Sequence, residues 1–194
     1  MRRLGIAYLI ALHVLCGWLA LRAQIPMSVR NKVVEWGLVP IGDRPIVLGD
    51  SIIRAMPAPP GVNLAIDALT TSKLLAFMQR YRAHEVYLMI GANDLLQGQR
   101  PQFAEVARNL RDSNVIWSGV TFTRAVDPKV TAAANVEIQA LCKALPNCRY
   151  VDTSSLDGDD FVPDGLHLSV SGHEKFVRLI RQTELASTAT TSVH

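Results

Sequence analysis

The sequence predicts a single three-layer α/β/α domain built on a mainly parallel, flavodoxin-like sheet of about five strands and preceded by an N-terminal hydrophobic helix. Three observations carry that expectation. Short apolar runs recur along the chain without alternating polar residues, as strands covered on both faces require. Segments of helical periodicity separate the runs, and each is long enough to cross over between parallel strands. The runs stop at glycine and polar residues, Gly49-Asp50-Ser51 and Gly91-Ala92-Asn93-Asp94, which read as turns at strand ends. At 194 residues the chain has room for one such domain with appendages.

The first two dozen residues differ in kind from the rest. Arg2 and Arg3 precede a charge-free run from Leu4 to Leu21 that Arg22 closes. As a helix at ~1.5 Å per residue it spans about 27 Å, near the ~30 Å hydrocarbon core and longer than the apolar region of a cleaved signal. The expectation is a signal anchor with the domain on the extracytoplasmic side, since basic residues before the run favour a cytoplasmic N-terminus. Cleavage after Ala23, which would release a secreted protein, is the alternative. His13 and Cys16 fall inside the run and read as filler.

Residues 25–44 form a connector and lead-in helix, whose apolar positions Val29, Val33, Val34 and Trp36 to Leu38 can lie against the domain. Pro45 to Leu48 is the first buried strand and delivers Ser51 to its end. After a turn-rich stretch from Pro57 to Gly61, Thr70 or Thr71 caps a helix running toward Arg82. Val86 to Ile90 is the second strand and opens into a polar loop. A helix from Pro101 to Arg111, a strand Val115 to Trp117, a helix Pro128 to Leu145 and a strand Arg149 to Val151 continue the alternation. The last helix begins near Ser171 and carries Phe176, Val177, Leu179 and Ile180. The Ser/Thr/Ala-rich end, 185–194, lacks apolar periodicity and is expected to be disordered.

Twenty basic against 17 acidic residues leave a net charge of +3, spread along the chain, so no nucleic-acid footprint is expected. Cys142 and Cys148 stand six apart, either as a short disulfide of an oxidising compartment or as two thiols. Their spacing suits no common zinc site, and neither a metal nor a cofactor is expected.

Ligands of open parallel sheets bind beyond the carboxyl ends of the strands. The residues expected there are Asp50-Ser51, Asn93-Asp94 and, later, Asp164-Gly165-Leu166-His167. They supply a nucleophilic hydroxyl, an amide donor, an imidazole base and an acid to orient it, the needs of acyl transfer. A carboxylate three residues before a histidine can meet Nδ1 while Nε2 faces the serine. Each residue also has a plainer reading: Ser51 as a helix cap, Asn93 as a loop tie and Asp164 as a turn cap. Asp50 is expected to shape the nucleophile loop. Between the two histidines of the C-terminal region, His167 is the better base, and His173 reads as a polar surface or capping residue.

These three blocks, in this order and at strand ends, resemble the SGNH/GDSL hydrolase family from about Pro45 to Ile180. The resemblance implies a serine ester hydrolase in which Ser51 attacks, His167 moves the proton and Asp164 orients the imidazole. It also implies an oxyanion hole formed by the N–H of Ser51, a backbone N–H from a second block and the Asn93 amide. That second block matches Asn63 to Thr70, with Ala68 where glycine is expected, so its N–H serves provided that the backbone there does not need positive φ. The residues 45–184 are then the catalytic domain, acting on a short acyl ester or a carbohydrate O-acetyl ester. Acyl transfer by the same residues and a non-catalytic envelope module on the same fold are the competing readings.

Overall fold

The computed structural model describes residues 26–121 and 124–191, with side chains up to residue 186. The expected anchor at 1–24, with His13 and Cys16, lies outside the described residues. Among the described residues, no helix is long and apolar enough to cross a membrane. Two compact units divide the chain between Val39 and Pro40. In the first, the lead-in helix α1 (Met27–Glu35) buries Val34, whereas Val29, Trp36 and Leu38 are exposed, so the apolar face expected from 29 to 38 is covered only in part.

The second unit holds the sheet: β1 (Ile46–Gly49), β2 (Val62–Asn63), β3 (Glu85–Met89), β4 (Asn114–Ser118) and β5 (Cys148–Val151). All neighbours are parallel, in the order β2-β1-β3-β4-β5. This is the flavodoxin-like arrangement, whose order reverses beside β1 and β3. The register aligns Ile46 with Val86, Val86 with Val115, and Val115 with Cys148. Ile46 to Leu48, Val86 to Met89 and Val115 to Trp117 are buried, as the unbroken apolar runs require when helices cover both faces. β2 was not foreseen. It is two residues long, and its pairing continues through the N–H groups of Leu64 and Ile66 to the carbonyls of Val47 and Gly49.

The helices of this unit are α2 (Ser51–Arg54), α3 (Thr71–Met78), α4 (Ala92–Leu96), α5 (Phe103–Asn109), α6 (Pro128–Ala144) and α7 (Val170–Thr191), with a 3-10 turn at Gly158–Asp160. Thr70 caps α3, which stops at Met78, short of the expected Arg82. Asp127 caps α6 with Pro128 at its first position, where a missing N–H costs nothing. Two expectations are corrected. The loop expected at Gly91 to Asp94 is instead the entry to α4, and α7 continues through the supposed tail to Thr191. Propagating a nucleated helix adds one hydrogen bond per residue, and 185–191 contains no proline or glycine to stop it. Cys142 in α6 and Cys148 in β5 form a disulfide, with their Cα atoms 5.0 Å apart.

The approach of β1 to β3 is closest at the end of β1. A Cβ on Gly49, whose φ is +148°, would stand 2.0 Å from the Met89 carbonyl oxygen, so glycine is required one residue before Asp50. The helix entries that follow β1 and β3, beside the reversal in strand order, carry Ser51 in α2 and Asn93 in α4.

Candidate active site

Ser51 is the first residue of α2, and Asp50 is its cap: Asp50 Oδ1 accepts from the Ile52 N–H at 3.0 Å. Asp50 therefore shapes the nucleophile turn, as expected. The Ser51 Oγ lies 2.9 Å from His167 Nε2, across 116 residues of chain. On the other side of the ring, His167 Nδ1 lies 2.7 Å from Asp164 Oδ2. The second carboxylate oxygen accepts from the N–H groups of Leu166 at 2.8 Å and His167 at 3.0 Å. The offset of three residues works because the chain turns tightly, with Gly165 at φ +67° and the Val162 N–H donating to the His167 carbonyl at 2.9 Å. The His167 side-chain bond, reinforced by the two backbone donors, holds the Asp164 carboxyl down at about 2. An ionised carboxylate only accepts, so Nδ1 carries the hydrogen and Nε2 presents its lone pair to the serine hydroxyl. The side chains of His167 and Asp164 are 39% and 49% exposed, so solvent and a bulky ligand can both reach them.

The loop from Asn63 to Thr70 is fastened to the nucleophile turn at several points. Asn63 Nδ2 donates to the Arg54 carbonyl at 3.0 Å, and Asn63 Oδ1 accepts from the Ala65 N–H at 3.1 Å. The Ile66 N–H donates to the Gly49 carbonyl at 2.9 Å. Arg54 Nε donates to Asp67 Oδ1 at 2.5 Å. Ala68 lies in this loop with a φ of +52°, the left-handed conformation, whereas its N–H was expected to serve provided that positive φ was not needed. The condition is not met: alanine stands where glycine would be relaxed, at a cost of about 1–2 kcal/mol. The N–H is nevertheless present. Among the described residues neither the Ser51 N–H nor the Ala68 N–H meets an acceptor.

Asn93 enters from α4. Its Nδ2 donates to the Leu69 carbonyl at 3.2 Å, which brings the amide beside Ala68 and leaves its second hydrogen unused. The next residue, Asp94, is buried and accepts from the Thr71 N–H at 2.9 Å and the Thr71 hydroxyl at 2.6 Å. Thr71 Oγ1 in turn accepts from the Gln102 N–H at 2.8 Å. Thus the segment after β2 is tied to the turn after β1 by Arg54 and Asp67 and to α4 by Thr71 and Asp94; of these four, the sequence pointed to Asp94 and Thr71 but not to Arg54 or Asp67. Their pairings are long-range and leave no periodic trace.

His173 is corrected. It is 7% exposed, and its ring lies 3.1 Å from the Ser169 carbonyl through Nδ1 and 3.2 Å from the Ile52 carbonyl through Nε2, joining α7 to α2. A signal was present, because 173, 176 and 180 share one helical face with buried Phe176 and Ile180. Asp50 is buried as well, and among the described residues its Oδ2 has no partner. Burial pushes the carboxyl up to about 7, against the opposing effects of the Ile52 N–H and of His167.

No protein-family model and no curated protein sequence matches the chain. Solved structures do. A family 3 carbohydrate esterase from Clostridium thermocellum superposes with a TM-score of 0.60 at 16% identity, over 77% of this chain and 99% of that one. The C-terminal catalytic domain of peptidoglycan O-acetyltransferase A from Streptococcus pneumoniae gives 0.58 at 16% identity, over 79% and 96%. A member of the lipolytic protein G-D-S-L family from Veillonella parvula gives 0.55 at 18% identity, over 73% and 96%. Identity this low carries the comparison as far as architecture: the chain shares the fold of these proteins, here a parallel 2-1-3-4-5 sheet covered by helices.

Proposed function

We propose that the chain is a serine ester hydrolase with Ser51 as nucleophile, His167 as base and Asp164 as the group that orients it. One observation carries the reading: the continuous relay from Ser51 Oγ to His167 Nε2 at 2.9 Å and from His167 Nδ1 to Asp164 Oδ2 at 2.7 Å. As Oγ bonds to the ester carbonyl carbon, its proton passes to Nε2 and the carbonyl π electrons move onto oxygen. The N–H groups of Ser51 and Ala68 and the unused N–H of Asn93 are the donors for that oxyanion, each worth roughly 10²–10³ in rate. Collapse breaks the bond to the leaving alcohol, which takes the proton from Nε2. Water then repeats the sequence and releases the acid.

A short acyl ester or a carbohydrate O-acetyl ester is the substrate class that the exposed dyad suits, and an esterase of carbohydrates is among the structural neighbours. The charge-free run at 4–21 and the Cys142–Cys148 disulfide support an extracytoplasmic, membrane-anchored enzyme. A second reading, transfer of the acyl group to an alcohol in place of water, is favoured by the O-acetyltransferase neighbour and uses the same residues.

The test is incubation of wild type and Ser51→Ala with p-nitrophenyl acetate and with a fluorophosphonate, read by turnover and intact mass. Wild type alone should carry the adduct, and the variant should lose roughly 10⁴–10⁶ in kcat. Equal turnover in the two proteins removes the assignment, and no labelling of either favours a binding module. Acyl transfer to an added glycan acceptor, measured against hydrolysis, separates the two enzymatic readings.

A further inference from the structure

The loop between β4 and α6 also reaches the histidine turn. Its start is pinned by Asn135, which accepts from the Val120 N–H at 2.7 Å and donates to the Val120 carbonyl at 3.0 Å. Farther along, the Arg124 N–H donates to the Gly165 carbonyl at 3.3 Å. The Arg124 Cγ and Cδ lie 3.0 Å from where a Cβ on Gly165 would stand, so the stem runs along the turn that joins Asp164 to His167. Arg124 is exposed, and among the described residues no carboxylate lies within 4.0 Å of its guanidinium. The carboxylates nearest in sequence and in the same turn are committed elsewhere: Asp127 Oδ1 accepts from the Lys129 N–H, and Asp164 gives Oδ2 to the His167 ring and Oδ1 to two backbone N–H groups.

An exposed guanidinium whose stem packs on the Asp164–His167 turn, with no carboxylate partner among the described residues, can donate paired hydrogen bonds to a planar or tetrahedral oxyanion. We infer that Arg124 selects esters that carry an anionic group, a carboxylate or a phosphate, close to the scissile bond. The inference rests on the reading of Ser51 and His167 as the reacting pair, because the Arg124 stem packs on the turn that carries His167. The plainer role for Arg124, a stem that packs on Gly165, makes a different prediction: any replacement of similar length would serve regardless of charge.

The experiment uses the full chain carrying Ser51→Ala, so that esters bind without being cleaved, and measures Kd by protein-observed NMR. The ligands are 4-acetoxybenzoate, 4-acetoxyphenyl phosphate and neutral phenyl acetate. At low salt the better anion should bind roughly three- to tenfold more tightly than the neutral ester, and the arm that wins identifies carboxylate or phosphate. Addition of Arg124→Met should abolish the difference, Arg124→Lys should keep most of it, and about 0.5 M salt should shrink it. Equal affinities for all three ligands, or a preference that survives in Arg124→Met, overturns the inference. The ratio of kcat/KM for the anionic and neutral esters in the wild-type enzyme keeps the two readings apart. Turnover without a charge preference sinks the inference alone, whereas a charge preference in binding without any turnover sinks the hydrolase reading and leaves the anion site.

Discussion

Asp50→Asn should change how the stability of the protein depends on pH. Asp50 is 1% exposed, its Oδ2 is unpartnered among the described residues, and burial raises its carboxyl from 3.8 to about 7. Between those two values the folded protein keeps a proton that the unfolded chain releases. The stability contributed by Asp50 is therefore fully present below pH 3.8 and is lost as pH rises through about 7. A rise of about three pH units corresponds to a ceiling of ~4 kcal/mol. The amide still offers Oδ1 to the Ile52 N–H but does not titrate. Its N–H₂ inherits the unpartnered position, a cost of about 1–3 kcal/mol that does not vary with pH. The variant should thus gain on wild type as pH rises from about 4 to about 7 and hold that gain toward pH 8. Urea unfolding without reductant, followed by emission of the buried Trp117, measures both proteins across that range. The quantity to compare is the difference in unfolding free energy, in which carboxylates common to both proteins largely cancel. A difference that stays constant within about 0.5 kcal/mol from pH 4 to pH 8 would refute the buried proton.

Two further outcomes follow from the site. Ala68→Gly removes the left-handed penalty of about 1–2 kcal/mol and restores roughly 0.5–1 kcal/mol of unfolded-chain entropy, so the unfolding free energy should rise by a net ~0.5–1 kcal/mol, read as a higher urea midpoint. A lower midpoint would mean that the alanine methyl makes contacts that outweigh its strain. Asp164→Asn should lower kcat/KM by roughly 10²–10⁴ at every pH where wild type is active, because the wild-type carboxyl, held at about 2, stays ionised throughout that range. Recovery of the wild-type value at any pH would show that orientation of the imidazole does not depend on this charge.

The sheet was legible where burial on both faces writes itself into composition. Val86 to Met89 and Val115 to Trp117 are unbroken apolar runs because each side chain meets a helix on one face or the other. β2 was not legible, because two edge residues, with the Val62 N–H on the Pro45 carbonyl and the pairing continued by Leu64 and Ile66 through main-chain bonds, impose no side-chain pattern. α4 escaped for a related reason: five residues that begin after a glycine at φ +118° are too few to show a helical period. In the site, the short-range feature could be read, since Asp164 and His167 are three apart and the turn between them brings their side chains together. The ties from Arg54 to Asp67, from Asp94 to Thr71 and from Arg124 to Gly165 join segments far apart in sequence, and which segments meet is a property of the folded sheet. His173 is the instructive miss, because its place in register with Phe176 and Ile180 already marked it as inward-facing.

What position 68 would bring to the chemistry is a peptide group, and a peptide group is indifferent to the side chain it bears. The site therefore asks of this residue a backbone shape and leaves its identity open to any amino acid that tolerates left-handed dihedrals, with asparagine and aspartate, after glycine, better suited than the alanine present. A motif written with glycine as a mandatory letter at that place would pass over such chains, even though their donor points from the same atom.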